Sequence, residues 1–214
     1  VIDATFGGGG YSRSILQNFD VNQLIAIDRD PISKIFSTEL EKKYSGKFNL
    51  VNGCFSQIDK LINLKHISNR NSIKFDIIIF DLGLSSNQLE DPQRGFSFLK
   101  EGPLNMSMGQ STLLASDIIN SYSEKELSDI IFKFGEERHA KKIAKSIVKY
   151  RKLKIIKTTL ELAELVSKNI PKKRSKKINP ATKTFQALRI YVNDELNELK
   201  IALNKSCNLL APKG

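Results

Sequence analysis

The sequence predicts an α/β fold in which a doubly wound parallel sheet is interrupted by a helical insertion. Three observations predict it. Short apolar, β-branched runs alternate with stretches of helical period over residues 1–81, the order expected of βαβ units around a parallel sheet. Four consecutive glycines, Gly7, Gly8, Gly9 and Gly10, directly follow the first apolar run. Beyond Pro103 the strand pattern stops while helical periodicity continues.

Taken in order, residues 1–6 read as a strand, 12–18 as a helix, 24–28 as a strand and 32–44 as a helix. Residues 48–52 form a third strand, 56–64 a helix and 75–81 a fourth strand. Helical periodicity then covers 113–121, 124–134, 136–151 and 158–168. Asn179 before Pro180 is a helix start with proline near the first position. A single long amphipathic helix is expected over 181–209, returning the chain to the sheet. The expected domains are 1–103 with 180–214, carrying the sheet, and 104–179, the helical insertion.

Composition excludes several classes. With 214 residues, 40% of them apolar, the chain fits one ordinary domain plus an elaboration, burying roughly 70% of its unfolded surface. Only 12 glycines, 6 prolines and no repeated unit argue against disordered, collagenous and solenoid chains. The longest apolar runs, such as 77–80, fall far short of the roughly 20 residues that span a bilayer, and no signal-peptide pattern precedes them, so no membrane partner is expected. Cys54 and Cys207 form no CxxC pair, which fits core or near-core thiols in a reducing cytosol and a cytoplasmic location. His66 and His139 lack metal-ligand companions, and no metal site is expected. The first residue is not Met, the opening residues already read as a strand, and the final APKG reads as a turn into another strand; a fragment is expected.

Charge is unevenly placed. The chain carries 34 Lys and Arg against 23 Asp and Glu, net +11. Between His139 and Lys183 stand 15 basic and two acidic residues, net +13, against net −2 for the remainder. Such concentration suits a polyanion, because each neutralised phosphate releases counterions. Any single lysine there is best read as solvated surface. The KKRSKK run, with Lys172, Lys173, Arg174, Lys176 and Lys177, is read as a nucleic-acid contact.

In doubly wound sheets ligands bind at the carboxyl ends of strands, where the glycine run stands. A nicotinamide-type G-x-G-x-x-G beginning at Gly7 would need glycine at Ser12, and no G-K-[ST] follows, so phosphate cradling is disfavoured. S-adenosylmethionine carries no phosphate, and its amino-acid part can lie over such a turn. Asp28, closing the second strand, is placed to accept hydrogen bonds from ribose hydroxyls, or alternatively to cap the helix near Pro31. Asp81 ends the apolar IIIF run, where a carboxylate is costly without partners. A role in holding loop amides and a functional role both remain open for it, the functional one preferred.

The strings DATFGGGGYS, AIDRDP, DLGLSSNQLEDPQRGFSF, GPLNMSM, FGEERHAKKIAKSIV and NPATKTFQALRIYVNDEL together resemble the bacterial ribosomal RNA small subunit methyltransferase H family (RsmH/MraW). The resemblance runs in unbroken order from Asp3 to Gly214. It implies a class I S-adenosylmethionine-dependent methyltransferase, with a Rossmann-like parallel sheet and an inserted helical domain that contacts the substrate. It also implies the reaction, methylation of N4 of a cytidine in 16S rRNA of the small ribosomal subunit. Carried over by position, Gly9, Gly10 and Tyr11 would contact the cofactor, Asp28 would hold the ribose, and Phe55 would lie against the adenine. Asp81 and Gln88 would complete the pocket. An aromatic ring suits a flat base, and a carboxylate and an amide suit its polar edges.

The sequence departs from the family in places. Many members carry His at Tyr11 and Arg at Gly8; PLNMSMG stands for PLDMRMD, altering Asn105, Ser107 and Gly109; Asn179 replaces a His and Lys183 keeps a positive charge. The family also extends before the first strand and beyond the final turn.

Cytosine N4 is a poor nucleophile, its lone pair delocalised into the ring, so it must be aligned with the methyl group. Asp81 or nearby carbonyls are candidates to accept its proton, with no general base assigned. Two other classes remain open, a methyltransferase acting on DNA or protein amines and a non-catalytic RNA-binding protein. The oligomeric state, a homodimer included, is left open as well.

Overall fold

The computed structural model describes residues 1–65, 74–109, 111–171 and 179–214. Among them, β1 (Ile2–Asp3), β2 (Leu24–Asp28), β3 (Phe48–Asn52) and β4 (Ile78–Ile79) form a sheet in the order β3-β2-β1-β4. Every pairing is parallel, and Asp28 lies opposite Asn52 in the β2–β3 register. The helices of the same unit are α1 (Gly10–Asn18), α2 (Ser33–Lys43) and α3 (Ile58–Lys65). The chain divides into two compact units, Val1–Asn87 with Leu196–Gly214, and Gln88–Glu195.

Strand β2 shows why the sheet is two-faced. Leu24, Ile25, Ala26 and Ile27 are all fully buried, as parallel strands covered on both sides must be. Successive side chains point to opposite faces. Ile25 and Ile27 pack with Ile58, Leu61 and Ile62 of α3. Leu24 and Ala26 pack with Leu16 of α1 and Leu40 of α2. The expected α/β architecture is therefore present.

Strands β1 and β4 are shorter than expected. Residues 1–6 and 75–81 contribute only two paired residues each to the sheet. Beyond Asp3 the chain leaves strand geometry toward the glycine run, and Phe75 instead forms an isolated parallel bridge with Leu210.

The second unit contains α5 (Ala115–Ser121), α6 (Glu124–Gly135), α7 (Ala140–Arg151), α8 (Thr159–Ser167) and α9 (Thr182–Val192). Ser123 with Glu126, and Thr158 with Glu161, form reciprocal capping boxes that start α6 and α8. The Lys154 ammonium and the Lys157 amide hold the Glu161 carboxyl down at about 2. Residues 136–139, expected to be helical, form a turn: Glu136 caps α6 in the left-handed region with φ 50°. At Gly135 a Cβ would stand 2.4 Å from the Lys183 carbonyl oxygen, so glycine there permits the close crossing of α6 and α9.

The long helix expected over 181–209 is two helices, α9 and α10 (Glu195–Leu209). The break has a physical cause at Asn193 and Asp194, the latter left-handed with φ 49°. The buried Asn193 amide accepts from Met108 N–H at 2.9 Å and donates to the Met106 and Arg189 carbonyls at 2.7 and 2.9 Å. Arg189 closes the corner with a two-pronged bond to Glu195, at 2.7 and 3.0 Å. Loop residues 103–109 are thereby tied to the end of α9.

The division at 87/88 and 195/196 lies outside the expected 103/104 and 179/180. Residues before Pro103 fold with the helices: Met106 N–H donates to Arg94 O and Thr159 N–H to Gly102 O, both at 2.9 Å, and the Phe98 ring meets Phe185 edge-on at 4.8 Å. The short helix α4 (Ser86–Glu90), absent from the sequence reading, stands at the first boundary.

Two stability predictions follow from this packing. Gly9 precedes α1 with φ 81°, and a Cβ there would lie 2.8 Å from the Phe6 ring, whereas Gly10 has open space. Urea unfolding should show Gly9→Ala losing about 1–2 kcal/mol or more, and Gly10→Ala losing nothing; equal losses would refute this account of the turn. Asn193→Ala should cost about 2–5 kcal/mol, since it strands the buried Met108 N–H and Met106 carbonyl, and a loss below 1 kcal/mol by the same measurement would contradict it.

Candidate cofactor-binding site

The loop after β1 is fixed between the ends of β2 and β4. Phe6 N–H donates to Ile27 O at 3.0 Å and Ala4 N–H to Ile79 O at 2.9 Å. Gly7 N–H then reaches the Asp28 carboxylate Oδ2 at 2.6 Å, and Asp81 N–H donates to Thr5 Oγ1 at 2.8 Å. Cβ atoms built on Gly7 and Gly8 would lie 3.4 Å from Ser85 Cβ and 3.2 Å from Asn87 Nδ2. The glycine run, Asp28 and the segment after β4 thus meet along the carboxyl edge of the sheet, where such folds take ligands.

Asp28 is part-buried and carries two backbone bonds, Gly7 N–H on Oδ2 and Asp30 N–H on Oδ1 at 2.8 Å. A carboxylate offers about four lone-pair sites, so about two remain for hydroxyl donors. Burial pushes its carboxyl up; the Asp30 and Gly7 amides oppose this, while Asp30 and Asp3 add repulsion. The capping alternative is not realised. Helix α2 begins after Ile32 with no side-chain cap, and Asp30 turns the chain there, accepting from Ile32 N–H at 3.2 Å and, through its carbonyl, from Ser33 Oγ at 2.7 Å.

Phe55 sits in a 3-10 turn, Phe55–Gln57, just after β3. It is half-buried, rests on the Ile25–Ile27 side of the core, and meets Phe80 at 5.7 Å with rings perpendicular. Packing and ligand contact are both compatible with that position. Tyr11, second in α1, is 52% exposed. Asp81 is exposed, so the burial cost expected for it is not incurred. Gln88 is buried and belongs to the second unit. Lys172, Lys173, Arg174, Lys176 and Lys177 lie outside the described residues.

Sequence reading missed Asp3. Its side chain is fully buried at the end of β1, where Oδ2 accepts from Ser12 Oγ at 2.6 Å and Oδ1 from Thr5 N–H at 3.3 Å. Burial raises its carboxyl, and Ser12 and Thr5 partly counter this. Asp3 therefore closes the glycine loop onto α1. The available signal was an acid lodged in an apolar strand directly before four glycines.

The altered loop positions are locally satisfied. Asn105 Oδ1 accepts from Ser107 N–H at 2.9 Å, and Ser107 Oγ accepts from Gly109 N–H at 3.2 Å. Asn179 Oδ1 takes Ala181 N–H at 2.8 Å near the start of α9.

The glycine turn and Asp28 are compatible with an adenosyl sulfonium cofactor: backbone is open at Gly10, and Asp28 keeps acceptor capacity beyond its bonds to Gly7 and Asp30. Among the described residues no helix is long and apolar enough to cross a membrane, and no group of three or more His, Cys, Asp and Glu could hold a metal ion.

Comparison with known proteins gives a consistent answer. A sequence model described as the MraW methylase family matches residues 1–214. A protein of Wolbachia pipientis subsp. Culex pipiens named ribosomal RNA small subunit methyltransferase H is 45% identical over 215 residues, covering 100% of this chain and 70% of its own length. Same-named proteins of Neorickettsia sennetsu and Rhodospirillum rubrum are 47% and 43% identical, over 98% and 100% of this chain and 68% and 63% of their own lengths. A match along the whole chain, with relatives named as methyltransferases, leaves one conclusion: the chain belongs to the MraW methylase family, and is a methyltransferase.

Proposed function

We propose that this methyltransferase moves a methyl group from S-adenosylmethionine to N4 of a cytidine in 16S rRNA of the small ribosomal subunit. The observation that carries the reading is the junction of the glycine turn with Asp28, 2.6 Å from the Gly7 amide nitrogen, in a chain whose relatives are named as small-subunit rRNA methyltransferases. S-adenosylmethionine supplies an electrophilic methyl group on a sulfonium. Gly9, Gly10 and Tyr11 lie against its amino-acid part, Asp28 accepts its ribose hydroxyls, and Phe55 packs on the adenine. Asp81 and Gln88 serve polar edges of the pocket.

The acceptor must be held in line, since N4 gives up its lone pair reluctantly. The target base leaves its stack to reach the methyl group. Asp81, exposed at the strand end, or a carbonyl near it receives the N4 proton. The insertion holds the surrounding RNA, with the KKRSKK run among its contacts. A cytoplasmic setting accords with that substrate.

Incubating labelled S-adenosylmethionine with unmodified small subunits, then digesting to nucleosides, should give N4-methylcytidine; label in naked DNA or in protein instead would overturn the reading. Asp28→Ala should weaken S-adenosylmethionine binding about tenfold or more by calorimetry, the loss expected for hydrogen bonds to a charged acceptor. An unchanged dissociation constant would remove Asp28 from the ribose. The pH dependence has a definite sign. Because burial raises the folded carboxyls of Asp28 and Asp3 above 3.8, their contribution to folding is full below 3.8 and is lost as pH rises through the folded values. Cofactor binding needs ionised Asp28, so affinity should fall as pH drops through that raised value, and Asp28→Asn should flatten the profile.

A further inference from the structure

The helical unit sorts its excess basic charge into two kinds. Arg151 is internal, donating to the Ile119 carbonyl at 2.6 Å and to the Tyr122 carbonyl. Lys154 is paired with Glu161 at 2.6 Å. The remaining cations of α7, Lys141, Lys142, Lys145 and Lys149, are exposed, and none has an acidic partner among the described residues. Their opposite face buries Ala140, Ile143, Ala144 and Ile147. Lys141, Lys145 and Lys149 recur every fourth residue, so they form one line with steps of about 6 Å. Helix α7 contains no acid to offset that row.

Just before α7, an open depression of about 590 Å³ is lined by Phe132, Lys133, Glu136, Arg138 and Lys183. Phe132 is 63% exposed, unusual for a phenylalanine without an apolar neighbour to cover it. Lys183 Nζ is held there by the Glu136 carbonyl at 2.9 Å, and Lys133 Nζ stands 5.1 Å from the Phe134 ring centre. Three cations against one carboxylate surround an exposed ring, and Arg138 leads directly into the lysine line.

We propose that the depression and the lysine row of α7 form a track for single-stranded RNA. Phe132 stacks an unpaired base, while Lys133, Arg138 and Lys183 neutralise the phosphates beside it. Lys141, Lys145 and Lys149 follow the next phosphates along the strand. An aromatic platform beside a row of unpaired cations is the pairing that single strands require, since every base has a face to stack and every residue a phosphate to neutralise. The row is distinct in sequence from the KKRSKK run. The proposal rests on the rRNA reading only for which RNA is bound.

The test uses the whole chain, a short single-stranded RNA and the same sequence as a duplex, with affinity measured by fluorescence anisotropy across a salt series. The triple variant Lys141→Gln, Lys145→Gln, Lys149→Gln should lower the slope of log affinity against log salt by about 2, three contacts at about 0.7 each. A control removing equal charge from the sheet unit, Lys42→Gln, Lys60→Gln, Lys200→Gln, should leave the slope near the wild-type value. Phe132→Ala should weaken the single strand roughly tenfold and the duplex hardly at all. A triple variant with the wild-type slope, an equal loss in the control, or a Phe132→Ala variant indifferent to single strands would overturn the track, as would a row that serves a protein partner instead. Methyl transfer to small subunits by the wild type is measured alongside; its absence with the RNA effects intact would count against the transferase reading alone.

Discussion

The structure depends on one hydrogen bond, from the Gly7 amide to the Asp28 carboxylate at 2.6 Å. The bond crosses from the loop after β1 to the end of β2, joining two segments at the carboxyl edge of the sheet. It is strong because its acceptor is charged, and it is needed because burial makes that charge expensive. The same carboxylate therefore shapes the turn and keeps acceptor capacity beside it. A residue that served only the turn would be more fully enclosed, and one that served only a ligand would leave the Gly7 amide without its partner.

What could be read in the sequence follows burial. Residues 24–28 were legible to the residue because β2, inside the sheet, is covered on both faces and reads as an apolar run, and 48–52 because the buried Phe48, Leu50 and Val51 mark the strand beside it. Strands β1 and β4 were overextended, since apolar residues such as Phe6 and Phe75 are buried without being paired in the sheet. The helix over 181–209 was continuous in pattern and broken in fact, because the break lies in a left-handed Asp194 and the bonds of Asn193 to Met106 and Met108. Helical periodicity carries no trace of contacts more than 80 residues away. The meeting of the glycine run with Asp28 at the sheet edge was legible because each directly follows or ends a strand marked by its own apolar run. Asp3 was not, since its partner Ser12 is fixed only once α1 folds back.

Charge tells a similar story in the helical unit. The net excess between His139 and Lys183 pointed to a polyanion, yet a count cannot separate a cation that holds the fold from one that faces outward. Arg151 and Lys154 are engaged within the fold, while Lys183 both bonds the Glu136 carbonyl and stays exposed. The outward cations are those whose helical neighbours are other lysines, an arrangement that costs self-repulsion and stabilises nothing by itself.

The three carboxylates of the sheet edge differ in burial, and that difference sorts their work. Asp3 is enclosed, and its bonds to Ser12 and Thr5 stay within its own turn of chain. Asp28 is half-enclosed, with one oxygen on the glycine turn and the other on Asp30. Asp81 is exposed, and only its amide is tied down, to Thr5. Ionisation of Asp3 is opposed by Asp81 as well as by burial, so the enclosed carboxylate is the one least suited to carry charge, and the exposed one is the best solvated. A positively charged ligand entering from the open edge would meet Asp81 and Asp28 before Asp3. The buried member then acts as scaffold, the half-buried one as scaffold and acceptor together, and the exposed one is left free to face whatever the edge binds.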